Sequence, residues 1–471
     1  MPPTARPAFA AWRAEARATL ALAWPIALTN LSQMALLVTD TVMLGHYSAQ
    51  SLAASVLGAN LYWLTMPLVF GLTMAAAPML AQARGRKLHH VRDMRRTVRQ
   101  GMWAVALATI PSWAVLWNGG HILRAMGQDA ALVAEAETYL HALMWGLAPF
   151  GWFMVLRAHL AALERPKPAM VVAAAAIAFN ALFDWLLIFG HWGFPELGIA
   201  GAGWASTAST ALMFAGLAAW MQLDRQLRRF HLAGRFWRAD WPRLAELFRI
   251  GLPISAMWAF ETGVFSVSAL LIGYFGPTSL AAHAITIQVA AVTFMVPMGI
   301  SQAATARVGL AEGAGDHAGV RRAGWTAIGL CGLFMTATAV VLLSAPRAIA
   351  GLFLDAGDAN APPVLDVASS LLMLAGLFQV FDGTQAAAAG ALRGLKDTRW
   401  PMLIAAFGYW AIGIVVGAGL GFGLGWRAVG LWCGLVLGLA VVAALLVLRW
   451  ARLSGSAAAF AAPVAVPISG S

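Results

Sequence analysis

Charged residues divide this chain into long apolar runs. Stretches without Asp, Glu, Lys or Arg cover 18–39, 41–83, 100–123, 138–156, 168–183, 197–223, 262–306, 323–346, 400–426 and 428–448. A helix needs about 20 apolar residues to cross the hydrocarbon core, so most of these runs are one span long. Two are double length. The run 41–83 holds Gly45-His46-Tyr47-Ser48 and the run 262–306 holds Gly273-Tyr274-Phe275-Gly276-Pro277, turn sequences that split each run into two helices. With single acids allowed at Asp40, Asp184, Glu261 and Asp382, the pattern predicts twelve helices: 18–44, 51–80, 98–118, 133–158, 168–190, 200–222, 247–273, 280–308, 322–345, 365–392, 400–423 and 428–449.

Composition narrows the class. Of 471 residues, 61% are hydrophobic and 11% charged, too few charges for an ordinary soluble domain and too much apolar content for disorder. The prediction is an all-α polytopic membrane protein. Cys331 and Cys433 both sit in apolar runs, which implies neither a disulfide framework nor a Cys-based metal site. The net charge of +11 is a topology signal: with the N-terminus inside, all basic residues except Arg124, Arg347 and Arg427 fall on one side, counting Arg157 as a helix-end residue there. The longest inner loop alone holds Arg225, Arg228, Arg229, Arg235, Arg238 and Arg243. Anionic lipid headgroups, rather than nucleic acid, are the expected neighbours of these loops, since no DNA-binding motif accompanies them. Residues 1–17 are too polar for a signal peptide.

The chain repeats itself. A shift of 228 residues lays Pro25-Ile26 on Pro253-Ile254, Gly45 on Gly273, Ser51-Leu52-Ala53-Ala54 on Ser279-Leu280-Ala281-Ala282, Gly71 on Gly299 and Gly85 on Gly313. Over 44–85 it gives 11 identities in 42 positions, and the fixed Gly and Pro spacing separates this from chance matching of Ala-rich helices. Six helices per unit is an even number, so the halves run the same way through the membrane: a parallel repeat of two six-helix lobes around a central cavity. The expected organisation is an inner N-terminal segment 1–17, an N-lobe 18–222, a basic linker 223–246, a C-lobe 247–450 and an inner tail 451–471. Pro25 and Pro253, equivalent under the repeat, are candidate hinges, because each removes a helical hydrogen bond. The glycines of 417–425 lack the strand and the Gly-Lys-Ser/Thr of a phosphate loop and read as close helix packing or a short turn.

Candidate chemistry lies in the four acids inside spans. Each costs about 2.5–3.5 kcal/mol at mid-membrane, roughly 10–14 kcal/mol together if uncompensated. No Lys or Arg is placed near the middle of any predicted span, so buried ion pairs do not account for them. They must be protonated, bind cations or face water, which points to H+, Na+ or a cationic substrate. Asn180 and Asp184 share one helix face, as do Gln33 and Asp40; Gln379, Asp382 and Gln385 follow three-residue spacing, and Glu261 stands in the seventh helix. Gln288 is a further supporting polar candidate, and Trp258, three residues before Glu261, offers an aromatic face to an organic cation. The isolated histidines His46, His159 and His283 read as interfacial or packing residues, and most of the tryptophans as belt anchors.

Three segments carry a resemblance: Asp40-Thr41-Val42-Met43-Leu44-Gly45 with Ser51-Leu52-Ala53-Ala54, Pro195-Glu196-Leu197-Gly198-Ile199-Ala200-Gly201, and Ala391-Leu392-Arg393-Gly394-Leu395-Lys396-Asp397. Together they resemble the multidrug and toxic compound extrusion (MATE) family, in particular its NorM-type bacterial branch, over about 15–450. The resemblance implies a V-shaped two-lobed antiporter of the bacterial inner membrane, a monomer with both termini cytoplasmic and no cofactor. It would export cationic or amphipathic organic compounds in exchange for Na+ or H+. The family's acidic positions map onto Asp40, Glu261 and Asp382, and its first-lobe cation site onto Asn180, Asp184 and Ser206. Na+ would then sit at Glu261 and Asp382 or at Asp40, Asn180 and Asp184. NorM-type members commonly carry an amide at the position of Asp184, where this carboxylate looks like the other prokaryotic branch, so the coupling ion and its lobe stay open.

Two rivals differ in chemistry. A lipid-linked oligosaccharide flippase of the same superfamily would place Arg or Lys in its cavity to meet a pyrophosphate, where this sequence places acids. A membrane enzyme would need a catalytic motif, and the chain has neither His-Glu-x-x-His nor Gly-x-Ser-x-Gly.

Overall fold

A computed structural model describes residues 5–86, 89–232, 234, 236–354 and 361–460. It contains, among these residues, twelve long helices: α1 Ala5–Tyr47, α2 Ala49–Gly85, α3 His90–Trp117, α4 Ala130–Ala162, α5 Lys167–Phe189, α6 Ile199–Leu223, α7 Trp241–Gly273, α8 Pro277–Gly313, α9 His317–Ser344, α10 Ala361–Gly394, α11 Arg399–Gly423 and α12 Arg427–Phe460. Ten are both long and apolar enough to cross a membrane; α3 and α6 complete the two sets of six. The doubled apolar runs do split. Ser48 alone separates α1 from α2, its hydroxyl accepting from the amides of Gln50 and Ser51. Gly276, at φ 100°, turns the chain into α8, where Pro277 occupies the first turn.

Most helix ends lie beyond the predicted span ends. α1 begins at Ala5 rather than 18, so most of the inner N-terminal segment is helix; α12 continues through the first part of the tail to Phe460. Charge marks where a helix leaves the hydrocarbon, not where its hydrogen bonding stops, and the Ala-rich flanks sustain the helix in the interface. Residues 1–4, the tail residues 461–471 and Arg235 of the linker lie outside the described residues. Pro25 and Pro253 sit inside unbroken helices.

Two six-helix lobes form, and the first helix of each straddles both. Leu22, Ala23 and Ile26 of α1 belong to the apolar core built by α8, α9, α10 and α12, whereas Leu244, Leu247, Ile250 and Ile254 of α7 belong to the core of α2, α3, α4 and α6. The exchange is possible because the crossing points are nearly free of side chains. A Cβ on Gly71 would meet Ser255 and, at 2.6 Å, the Gly251 carbonyl; a Cβ on Gly299 would lie 2.9–3.0 Å from Ala23 and Ala27. Ala23, Ala27 and Gly299 correspond to Gly251, Ser255 and Gly71 under the shift of 228 residues, so one contact is made twice about a pseudo-twofold axis. Gly85 and Gly313, also equivalent, press α2 and α8 against each other about four turns further along. The glycine-rich end of α11 packs in the same manner: Gly408, Gly413 and Gly417 face Gly434 and Gly438 of α12 with backbone nearly touching backbone.

Polar contacts close the lobes at the end that bears the basic loops. Arg307 of α8 donates two 2.8 Å hydrogen bonds to Glu15 of α1 and also meets Glu164 after α4, and Gln82 donates to the Gly394 carbonyl at 2.9 Å. The linker is clasped to α3 through Arg96–Asp240 and Arg243–Asp93, at 2.7 and 3.2 Å. Arg225, Arg228, Arg229 and Arg238 remain exposed.

The seam predicts an asymmetric response to added bulk. Gly71→Val should lower the melting temperature of detergent-purified protein by several degrees, since overpacking costs about 1–3 kcal/mol. Gly329→Val, on the exposed face of α9 with nothing within 4 Å, is the control. Equal melting of the two variants in differential scanning fluorimetry would rule out the seam as a close contact.

Candidate functional site

Among the described residues, a cavity of about 330 Å³ lies between the lobes. Helices α1, α2, α4 and α6 supply one wall, and Trp258, Phe294, Met295, Met298 and Gln302 of α7 and α8 the other. Its lining is mostly apolar and unusually rich in methionine, including Met34, Met66, Met74 and Met154. Flexible thioethers fit many shapes, which suits a site for varied amphipathic compounds. Trp258 stacks on Phe70 across the lobes at 5.7 Å and 16°, leaving its edge on the cavity. Gln33 also lines it, its amide donating to the Met154 Sδ at 3.7 Å.

Four of the predicted residues converge in the N-lobe. Asp40, late on α1, accepts a hydrogen bond from Ser206 of α6. Asn180 and Asp184, one turn apart on α5 and fully buried, bring their side chains to the same carboxyl group. Three of the four carboxylate oxygens, Asp40 Oδ1 and both of Asp184, lack a protein donor, and Asn180 has neither a donor for its Oδ1 nor an acceptor for its Nδ2. Two facing carboxylates with no cationic side chain in reach cannot both be ionised unless a cation joins them. The donor set is hydroxyl, amide and carboxylate oxygen, suited to a proton or a hard cation and not to a thiol- or imidazole-seeking metal. Among the described residues no group of three His, Cys, Asp or Glu side chains gathers to hold a metal ion.

Asp40 and Ser206 also face the large cavity; Asn180 and Asp184 do not. The Asp40 carboxyl is thus a partition, with an ion-sized niche on one side and a compound-sized space on the other.

Glu261 and Asp382 meet in the C-lobe, separately. They share a small pocket with Phe265, Phe378 and Tyr409, and Glu261 also borders a second small cavity with Trp258, Gln385 and Arg393. Gln385 accepts from the Tyr409 hydroxyl at 2.6 Å, and Gln379 from Thr338 at 3.0 Å while its own amide nitrogen is buried without an acceptor. These acids therefore do not line the central cavity, contrary to the expectation that the sequence places its acids there. Gln288 is exposed and borders none of the cavities described: it lies seven residues, about two turns, before Met295 on α8.

Two arginines correct a second expectation. Arg157 is 4% exposed, not a helix-end residue at the interface; it lines the central cavity, held by Asn30 Oδ1 at 2.8 Å and Gln302 Oε1 at 2.6 Å. Arg393 lines the adjoining small cavities, beside Glu261 in one of them. Helix α4 continues past Arg157 to Ala162, which draws a charge read as terminal into the protein. The sequence held a signal for the pair: Leu156-Arg157 and Leu392-Arg393 occupy the fourth helix of each repeat. Tyr62 and Tyr139, buried beside the acids of the N-lobe, were also not singled out by spacing. His159 and His283 are buried packing residues, edge-on to Phe230 and hydrogen-bonded to Trp432 respectively.

The family model MatE matches residues 25–186 and 253–418, two stretches that begin at Pro25 and Pro253 and so reproduce the 228-residue repeat. The chain belongs to the MATE family. Its relatives include the probable multidrug resistance proteins NorM of Mesorhizobium japonicum, 52% identical over 443 residues, and of Brucella suis, 47% identical over 441; each comparison covers 94% of both chains. Among solved structures, the eukaryotic MATE transporter AtDTX14 superposes with a TM-score of 0.84 at 24% identity, covering 95% of this chain and 98% of that one. A MOP superfamily transporter from Pyrococcus furiosus also gives 0.84, at 17% identity over 94% and 97% of the two chains. The two-lobed, twelve-helix architecture is therefore a MATE fold, and family membership makes this chain a multi-pass membrane transporter rather than an enzyme.

If an ion fills the niche, it must stabilise the fold, since a ligand at about 100 times its Kd adds about 2.7 kcal/mol. Replacing an organic cation by Na+, or lowering pH at constant Na+, should raise the melting temperature of the wild type. Asp184→Asn should remove most of that shift and Ser206→Ala only part. An undiminished shift in Asp184→Asn would place the ion elsewhere.

Proposed function

We propose that this MATE protein is a secondary active multidrug efflux antiporter that exports cationic or amphipathic organic compounds in exchange for Na+ or H+ by alternating access. The observation that carries the reading is Asp40, whose carboxyl is shared between the Asn180–Asp184–Ser206 niche and the central cavity. An ion in the niche neutralises the charge that a cationic compound in the cavity would use, so the two compete for one group. Exchange then follows from linkage, provided ion and compound favour opposite states of the lobes. The inward membrane potential adds about 2.3 kcal/mol per charge per 100 mV to the ion's entry. Glu261 and Asp382 form a second acidic chamber behind Trp258, available to the same ion or to a second one. The names of the NorM relatives support multidrug compounds as cargo.

The same reading places the chain in the bacterial inner membrane as a monomer, with both termini and the basic loops on the cytoplasmic side. The closed end of the seam is then cytoplasmic and the cavity opens outward. Arg157 is the one observation that favours a lipid-linked oligosaccharide flippase. A pyrophosphate carries at least two negative charges, and a cavity with one guanidinium facing Asp40 matches that poorly.

Proteoliposomes loaded with a fluorescent organic cation test the proposal. An imposed Na+ or H+ gradient, applied one at a time, should drive saturable exchange. Asp40→Asn should reduce it at least a hundredfold and Asp382→Asn at least tenfold, with insertion unaffected. Flux indifferent to both gradients, or full-rate exchange in both variants, would sink the antiporter reading.

A further inference from the structure

Arg157 carries a charge that the transport reading leaves unused. Its guanidinium is buried, and its protein partners are two neutral amide oxygens, those of Asn30 and Gln302. No carboxylate lies within ion-pair distance of it among the described residues. Arg393, on the fourth helix of the other lobe, differs in that respect, since Glu261 borders the same small cavity. A buried guanidinium without a counter-ion is costly, and five donors are not exhausted by two acceptors. Arg157 lines both the central cavity and a small adjoining cavity that it shares with Arg393, and its Nε, not among the buried atoms without a partner, is open to that space.

The cavity is therefore bipolar. Asp40 stands ten residues beyond Asn30 on the same helix, and at 1.5 Å per residue the acidic pole lies about 15 Å from the amide that holds Arg157. Between them the lining is aromatic and thioether, with Met34, Met66, Phe150 and Trp258. We propose that Arg157 is an anion-recognition subsite, taking the carboxylate of an amphipathic compound whose ammonium group engages Asp40. A planar guanidinium binds a carboxylate through paired N–H donors, which gives orientation as well as attraction. The subsite makes zwitterionic amphiphiles better ligands than cations of the same body, and it rests on the reading of this cavity as the transport site.

Equilibrium binding to the detergent-purified full chain tests this without requiring transport. The probes are an amphiphile with a tertiary amine at one end and a benzoate at the other, and its methyl ester, titrated by quenching of tryptophan fluorescence. The wild type should bind the acid roughly tenfold more tightly than the ester, the scale of one good charged pair. In Arg157→Gln the acid-to-ester ratio should fall to within about twofold, and Arg157→Lys should recover part of it. Equal affinity of the wild type for acid and ester overturns the inference, and so does an equal loss for both in Arg157→Gln, which would mark Arg157 as a structural post. If Arg157→Gln binds neither probe, the wild-type ratio and the Lys variant decide. Gradient-driven exchange of the ester is read separately, so a failed antiporter and a failed anion subsite give different results.

Discussion

Everything in this molecule depends on how closely α2 and α8 approach the first helix of the opposite lobe. In lipid there is no hydrophobic gain from pressing two helices together, so association rests on backbone-to-backbone packing, and only small residues allow it. Gly71 against Gly251 and Ser255, and Gly299 against Ala23 and Ala27, meet that need twice through one repeated sequence pattern. Larger residues there would hold the lobes apart and separate the inner halves of α1 and α7 from the cores they enter. The cavity exists because this seam occupies one end only.

Electrostatics then divide the interior into compartments. Three carboxylate oxygens without donors in the N-lobe, an acid pair beside Tyr409 in the C-lobe and a guanidinium without a counter-ion between the lobes are all expensive in a low-dielectric medium. A protein whose sole task was to be stable would replace them with apolar residues. Their presence is most simply accounted for by ligands that arrive and leave, each supplying the missing charge while bound.

Charge spacing made the twelve spans legible, because membrane solvation punishes charge so strongly that its absence draws the helices, and the fixed spacing of Gly and Pro made the repeat legible. The acids were legible for the same reason, and the seven-residue step from Gln33 to Asp40 and the four-residue step from Asn180 to Asp184 put them on definite faces. Which face meets which helix was not legible. Glu261 and Asp382 proved to lie behind Trp258 instead of on the cavity, because helix rotation is set by contacts that one helix's periodicity does not contain, and Gln288 lies about two turns before the lining residue Met295 on α8. Arg157 was misplaced for a further reason: a charge near a run's end marks the membrane boundary only if the side chain turns outward, and two amide partners from other helices turned this one in. The straddling of α1 and α7 left no trace in hydropathy, since Ala, Gly and Ile serve equally well in either core.

The straddling supplies a link between ion and seam. α1 carries, in order, Glu15 in the ion pair with Arg307, Ala23 and Ala27 at the glycine crossing, Asn30 on Arg157, and Asp40 in the niche. Its inner half belongs to the C-lobe core and its outer half packs on α5, so a change at Asp40 acts on a helix anchored in both lobes. To turn a two-state equilibrium from 1:99 to 99:1, a ligand must favour one state by about 5.5 kcal/mol. One ion driven by about 2.3 kcal/mol per 100 mV does not reach that by potential alone, so the states must be close in energy before it binds. The closed end suits this: its polar contacts are a few hydrogen bonds, worth about 0.5–1.5 kcal/mol each, and one ion cluster on Arg307, mostly buried against Glu15 and half-exposed at Glu164. A seam held by glycine packing and so few latches can be overturned by one charge entering the niche, whereas a seam built like a soluble core could not.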